Sequence, residues 1–227
     1  MATLRDLKDI IRRDAQAENR YGRFLDLLAK TDERGTDPNW DLWYFSQNTD
    51  FCIFAARQAR DEISELGSQL KTKQQNIDAD VSFTFHDLRR AFAVFCMFAH
   101  ASLESFAHEI NIFYELEIPR KDVAIRTIAT SLPSGTTLQK HLQRFLIEQD
   151  TRMLVEYRNA VVHGYVFPIS GASSGLFLTA TPRGGFFDFD SNDVELISLT
   201  DRVVDKTKVF IADGWKCFSR DELSPMP

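Results

Sequence analysis

The chain has few cysteines, no long apolar run and no surplus of positive charge. Its three cysteines, Cys52, Cys96 and Cys217, are an odd number and widely spaced. That argues against a disulfide framework and a cysteine-based zinc cluster. Cys52 and Cys96 sit within apolar runs and read as small core residues of a protein in a reducing cytoplasm. The longest apolar run, AFAVFCMFA at residues 91–99, falls short of the roughly 20 residues that span a bilayer. The opening MATLRDLKDIIRRD is amphipathic and charged and carries no apolar signal core, so neither secretion nor a membrane partner is indicated. A net charge of −6 has the wrong sign for a protein that coats DNA without sequence preference. No H-E-x-x-H occurs, and Ser131, Ser134 and Gly135 are not followed by the G-K-[ST] of a phosphate loop. Internal repeats and low-complexity tracts are absent.

What remains is ordinary for a soluble globular chain: 44% hydrophobic and 26% charged residues. A chain of 227 residues can bury roughly 70% of its unfolded surface, so folding needs neither disulfide nor metal. The charge is uneven. Residues 120–163 hold seven Lys/Arg and four Asp/Glu, a local balance of +3 that leaves −9 for the remainder. A locally basic segment in an acidic protein suits a phosphate-bearing ligand or a short piece of RNA; an ordinary fluctuation in charge is the other reading.

The hydrophobic periodicity predicts a mainly α fold. It reads as an up-and-down helical bundle with a small β-hairpin or flap before the last helix, in one domain over residues 1–227. A first helix is expected over residues 3–29, with Leu4, Leu7, Ile10 and Ile11 on one face. Asp37 followed by Pro38 opens a second, to about Lys73, with a break near residues 47–50. Its stripe includes Leu42, Phe45, Ile53, Phe54, Ile63, Leu66 and Leu70. Thr84 and Asp87, at capping-box spacing, open a third to about Leu116. Its middle, FAVFCMFAHASLESF, is apolar nearly all round, which predicts the central helix of the bundle. A short helix over residues 121–131 follows, then a stretch over residues 136–163 with a break at 149–151 and Gly164 just past its end. YVFPI, GLFLTAT and GFFDFD are β-type runs separated by SGASS and PRGG, an insertion at about residues 165–190. Ser191, Asn192 and Asp193 open the last helix, which carries Val194, Ile197, Val203, Val204 and Ile211 inward to about Phe218.

The stretch YRNAVVHGY, residues 157–165, sets Arg158, Asn159 and His163 among residues that a helix needs for packing. Asn159 and His163 are four apart and share a face. Arg158 and His163 are five apart, so on an ideal helix their side chains diverge by about 140°, and they converge only at a helix end. The three residue types have a chemical logic. RNA carries its own nucleophile, the 2′-hydroxyl; cleavage needs an acid or base that works near neutrality, and imidazole supplies it. A guanidinium steadies the extra charge on the phosphorane-like transition state. An asparagine positions a phosphate oxygen or orients the imidazole. This chemistry calls for no metal and no cofactor. The partial negative charge of a helix C-terminus opposes phosphate there, and it favours a cation, which suits His163 to the role of acid at least as well as base.

R-N-A-V-V-H, residues 158–163, resembles the R-x4-6-H motif of the HEPN superfamily, in which a polar residue directly after the arginine is usual. The resemblance implies an α-helical bundle that dimerises. Two copies of the motif then meet at the interface to form one metal-independent ribonuclease site, with RNA as partner. Arg158, Asn159 and His163 would be its catalytic residues. HGY extends the likeness to a toxin branch in which the tyrosine, here Tyr165, is modified with AMP by a nucleotidyltransferase antitoxin. ASLESFAHEINIFYE, residues 101–115, is similar to the second-helix pattern of several HEPN subfamilies. The β insertion and the extra N-terminal helix depart from the minimal toxins, which points to a larger branch. Such proteins are typically toxins or antiphage effectors. A non-catalytic bundle that binds a nucleotide or partner protein is the alternative.

Without the resemblance, Arg158 reads as a surface cation paired with Glu156 or Glu195, and His163 as a helix cap. His100, Glu104 and His108 also share a helix face at four-residue spacing. They fit a partial metal site with no evident fourth ligand, or a polar network within the bundle, in which Glu104 faces Arg158 and orients it.

Overall fold

The computed structural model describes residues 40–75, 81–163, 169–172, 175–178 and 194–221. The helix expected over residues 3–29, Gly164, Tyr165, the GFFDFD run and the cap at residues 191–193 lie outside them, as does the side chain of Leu42. The described chain is mainly helical. Helices α1 (Trp40–Gln75) and α2 (Val81–Phe113) are followed by a 3-10 turn at Arg120–Asp122, then α3 (Ile125–Ser131), α4 (Thr137–Ile147) and α5 (Gln149–Val162). Strands β1 (Ile169–Ala172), β2 (Gly175–Leu178) and β3 (Val194–Glu195) precede the last helix, α6 (Leu196–Asp221).

Helices α1 and α2 form a long antiparallel pair. Phe45 stacks on His108, Asn48 donates to Ser105, and Arg90 pairs with Glu62. As numbers rise along α1, their partners fall along α2. The break expected near residues 47–50 does not occur. Those polar residues face α2 instead: the Thr49 hydroxyl donates to the fully buried Glu109 carboxylate and also lies 2.9 Å from the Phe45 carbonyl oxygen. Hydrogen bonds across the pair thus account for residues that look like a helix break in isolation.

Helix α2 is the centre of the bundle, as its apolar composition predicts. Leu88, Ala91, Phe92, Phe95, Cys96, Ala99, Leu103, Phe106, Ala107 and Ile110 are all buried, and α2 contacts α1, α3, α5 and α6. Each fully buried aliphatic or aromatic side chain contributes about 1.5–3 kcal/mol. Phe106 meets Phe210 and Trp215 of α6. A Cβ on Gly214 would stand 2.5 Å from the Phe106 ring, so glycine there is what lets α6 approach. On the other flank, a Cβ on Gly67 would stand 2.9 Å from Leu176, where α1 passes β2.

Several boundaries move. Thr84 does not cap α2, which begins at Val81; Thr84 is buried one turn inside. The helix ends at Phe113, before Pro119. Glu115 turns to a left-handed φ of 50°, and the Asn111 amide brackets Ile118, accepting from its N–H and donating to its carbonyl, both at 3.1 Å. The break expected at residues 149–151 falls at Glu148, dividing the stretch over residues 136–163 into two helices. Thr136 caps α4 by accepting from the Gln139 N–H at 3.2 Å, and an extended Glu148 separates α4 from α5.

The small antiparallel sheet has the order β1-β2-β3. Ser170, Gly171 and Ala172, expected in a turn, belong to β1 and pair with Phe177, Leu176 and Gly175. Val194 is not in the last helix; it pairs with Leu178 in β3. Glu195 then caps α6, its carboxylate accepting the Ser198 N–H at 2.6 Å. Long-range pairing overrides the local helical periodicity at this boundary.

Candidate functional site

Helix α5 carries Asn159 in its last turn with Arg158 directly before it, and closes at His163. Its buried face, Leu154, Tyr157 and Ala160, packs into the bundle, with the Tyr157 ring edge-on to Phe92 of α2. That packing turns the next residue, Arg158, along the flank of α2. There Arg158 is half-buried. One terminal nitrogen donates to the Asn159 side-chain oxygen at 3.1 Å, and the other stands 3.7 Å from Glu104 Oε1. Its Nε is enclosed and has no hydrogen-bond partner among the described residues. The terminal nitrogens are therefore the ones positioned to meet a ligand.

Glu104 has two basic neighbours, Arg158 and His100. The same Oε1 is 3.5 Å from His100 Nδ1, one turn earlier on α2. The His100 imidazole lowers the Glu104 carboxyl below its ordinary range; burial opposes this, and Arg158 and His108 reinforce it. Both contacts are longer than a normal hydrogen bond, so they are charge contacts rather than a closed hydrogen-bonded pair. Across the helix pair, burial raises the Cys52 thiol and the Glu104 charge raises it further.

His108 is engaged separately. Its ring stacks on Phe45 with centroids 4.2 Å apart, and the Arg120 guanidinium lies 5.4 Å from the centre of the same phenyl ring. Burial, and then the Arg120 charge, lower His108 below the usual imidazole range, while Glu104 pulls the other way. His100, Glu104 and His108 share a helix face but do not converge on a point. Among the described residues, no group of His, Cys, Asp and Glu is arranged to hold a metal ion.

His163 is exposed. Its backbone N–H donates to the Asn159 carbonyl at 3.0 Å, in a closing turn with φ −86° and ψ 11°. Among the described residues its side chain makes no hydrogen bond or ion pair, and none joins it to Arg158. The structure thus brings Arg158, Asn159 and Glu104 together and leaves His163 standing alone at the helix end. Arg158 pairs with Glu104, not with Glu156 or Glu195.

An ion cluster at the opposite end of α5 is not evident from local sequence. Asp150 is 2.8 Å from Lys206 and 3.4 Å from Arg202, and Glu148 is 3.3 Å from Lys206. The signal available was the four-residue spacing of Arg202 and Lys206, which puts two cations on one face of α6. Among the described residues, no helix is long and apolar enough to cross a membrane. Comparison with protein-family models, with curated proteins and with solved structures finds no match.

Proposed function

We propose that the chain is a metal-independent endoribonuclease of the HEPN type, acting as a homodimer. The observation that carries this reading is the pair of groups at the tip of α5. A guanidinium is held by Glu104 and Asn159, and one turn from Asn159 an imidazole stands with no described partner. Arg158 neutralises charge on the phosphate in the transition state. Asn159 orients the guanidinium and a phosphate oxygen. His163 transfers a proton. The 2′-oxygen bonds to phosphorus as the bond to the 5′-oxygen breaks. One proton leaves the 2′-hydroxyl and one reaches the 5′-oxygen, giving a 2′,3′-cyclic phosphate and a 5′-hydroxyl.

Five-residue spacing sets Arg158 and His163 about 140° apart on a helix, so the reading needs a second tip, with His163 of each copy serving the phosphate held by Arg158 of the other. Exposed apolar side chains support such a contact. Val162 beside His163 is 51% exposed, and Met97, on the same face of α2 as Glu104 by spacing, is 41% exposed. A toxin or antiphage role, and a nucleotidyltransferase antitoxin acting on Tyr165, follow from the motif resemblance. The second reading, a non-catalytic bundle that binds a nucleotide or partner protein, is favoured by the charge contact of Glu104 with Arg158, which leaves that cation partly neutralised.

The test is incubation with single-stranded RNA in EDTA. Cleavage is expected, with cyclic-phosphate ends, and with a loss of about 10²–10⁴-fold in His163→Ala. Arg158→Ala should lose about 10²–10³-fold. Cleavage that survives His163→Ala, or that requires an added divalent metal, overturns the proposal. Nucleotide binding without cleavage establishes the second reading.

A further inference from the structure

Residues 123–147, which contain α3 and α4, hold no aspartate or glutamate, in a chain with 33 acidic residues. They hold three fixed cations, Arg126, Lys140 and Arg144, and all three side chains are exposed. None makes an ion pair with any described residue. Several cations elsewhere are paired, although Arg57, Lys121 and Arg152 are exposed and make no ion pair among the described residues either. Arg60 sits against Asp61 and Asp201, Arg90 against Glu62, Arg202 and Lys206 against Asp150, and Lys216 against Asp213.

The folding of this stretch explains why the cations collect on the outside. Ile125, Ile128 and Ala129 of α3, and Leu138, Leu142 and Phe145 of α4, are the buried faces. Lys140 and Arg144 are four apart, so they stand together on the opposite side of α4. Gln139 locks the two helices to each other. Its amide nitrogen lies 3.3 Å from the carbonyl oxygens of both Ala129 and Leu132, and its side-chain oxygen accepts the Gly135 N–H at 2.8 Å. The exposed surface of this rigid unit is finished with small hydroxyl groups, Thr130, Ser131 and Ser134. Cations and hydroxyls with no acid in the same stretch of chain suit a run of phosphates. An acidic protein would need a patterned set of partners and an apolar centre; the exposed large apolar residue here is Ile147 alone.

We infer that the outer face of α3 and α4 is a docking surface for the phosphate backbone of an RNA strand, read without regard to base sequence. The inference rests on the ribonuclease reading for its choice of polyanion. Helix α5 follows α4 after a single residue, Glu148, and its 14 residues carry the chain about 20 Å to the tip, so the strand has to span that length. Cleavage occurs at the tip of α5, and affinity comes largely from the α3–α4 face.

The experiment uses the full chain with His163→Ala, so that RNA stays intact. Binding of a fluorescein-labelled poly-uridine strand is measured over a series of salt concentrations, with and without Arg126→Gln, Lys140→Gln and Arg144→Gln together. Loss of three phosphate contacts should weaken binding by at least about 10-fold at low salt and reduce the slope of log K against log salt by about 2. All three side chains are exposed, and the melting temperature should hold. In the chain with native His163, the same triple variant should cleave a dinucleoside monophosphate at the unaltered rate, since so short a substrate does not reach α4. Absence of binding, or a triple variant with unchanged affinity and salt slope, overturns the inference. The two readings fail separately. If the dinucleotide is not cut but binding depends on the three cations, the docking face stands and the cleavage reading falls. If the dinucleotide is cut and the salt slope is indifferent to the three cations, the reverse holds.

Discussion

The two ends of α5 are built differently. At its start, Asp150 is buried and both of its oxygens are engaged by cations of α6, Lys206 at 2.8 Å and Arg202 at 3.4 Å. At its end, Arg158 stands 3.7 Å from a carboxylate that it shares with His100, its Nε has no hydrogen-bond partner among the described residues, and His163 is exposed. The first end consumes its charges in holding two helices together. The second keeps charge in reserve. One short helix serves both purposes: α6 grips it at the start, the apolar side chains Leu154, Tyr157 and Ala160 fix its rotation, and the long Arg158–Glu104 contact ties the tip to α2 only loosely.

Substitutions at the start of α5 should therefore change stability and those at the tip chemistry. The largest stability effect is expected at Asp150. Asp150→Asn keeps the shape and removes the charge, leaving Arg202 without its anion and Lys206 with Glu148 alone. A loss of about 1–3 kcal/mol follows, toward the lower end because both cations are nearly half exposed. The dependence on pH has a definite sign. Burial raises the Asp150 carboxyl, but hydrogen bonds and charge from Lys206 and Arg202 outweigh it and hold the group below its ordinary range. A carboxyl lowered on folding contributes stability above its unfolded value, and that contribution disappears as pH falls through the folded value. Urea melts should therefore show a constant gap between native chain and variant above about pH 5, closing below about pH 4. A gap that widens in acid would show that the cluster does not act through the Asp150 charge.

The same contrast separates what was legible in the sequence from what was not. The central place of α2 is legible because its apolar residues run round the whole helix, and burial follows from composition alone. Arg158, Asn159 and His163 are legible because chemistry-bearing residues interrupt a packing face within a few positions. Glu104 as the partner of Arg158 is legible as a polar residue left on an apolar helix. Asp150 with Lys206 is not, because 56 positions separate them and local spacing carries no information about which helices meet. The boundary errors have the same origin. Thr84 has the spacing of a cap yet lies inside α2, and Val194 has the period of a helix yet pairs with Leu178, because tertiary contacts decide both. SGASS has turn composition, but the backbone pairing of β1 with β2 claims its first residues.

A smaller effect, on catalysis rather than folding, is expected from Glu104→Gln. The substitution retains an acceptor for Arg158 and His100 and removes the negative charge between them. Glu104 acts through Arg158, so kcat should fall about 10-fold with little change in KM, since orientation of the guanidinium is what changes. Stability should fall by less than about 1 kcal/mol, because the contacts are long and the side chain is 43% exposed. A larger loss of stability than of kcat would place Glu104 with Asp150, as a fastener, and would erase the distinction between the two ends.

The smallest expected effect is the most discriminating. His163→Ala should leave the melting temperature and the urea midpoint within about 0.5 kcal/mol of the native chain, because the side chain is exposed and makes no hydrogen bond or ion pair among the described residues. The backbone N–H of residue 163, which closes α5 on the Asn159 carbonyl, is kept by alanine. Differential scanning calorimetry of the two proteins at the same concentration checks this. The concentration matters: a dimer sealed by imidazole contacts across the two-fold axis would melt lower in the variant, and the deficit would grow on dilution. A concentration-independent loss above 1 kcal/mol would make His163 a cap that the helix needs. An unchanged melt together with lost cleavage would mean that the imidazole is spared from folding and used on substrate.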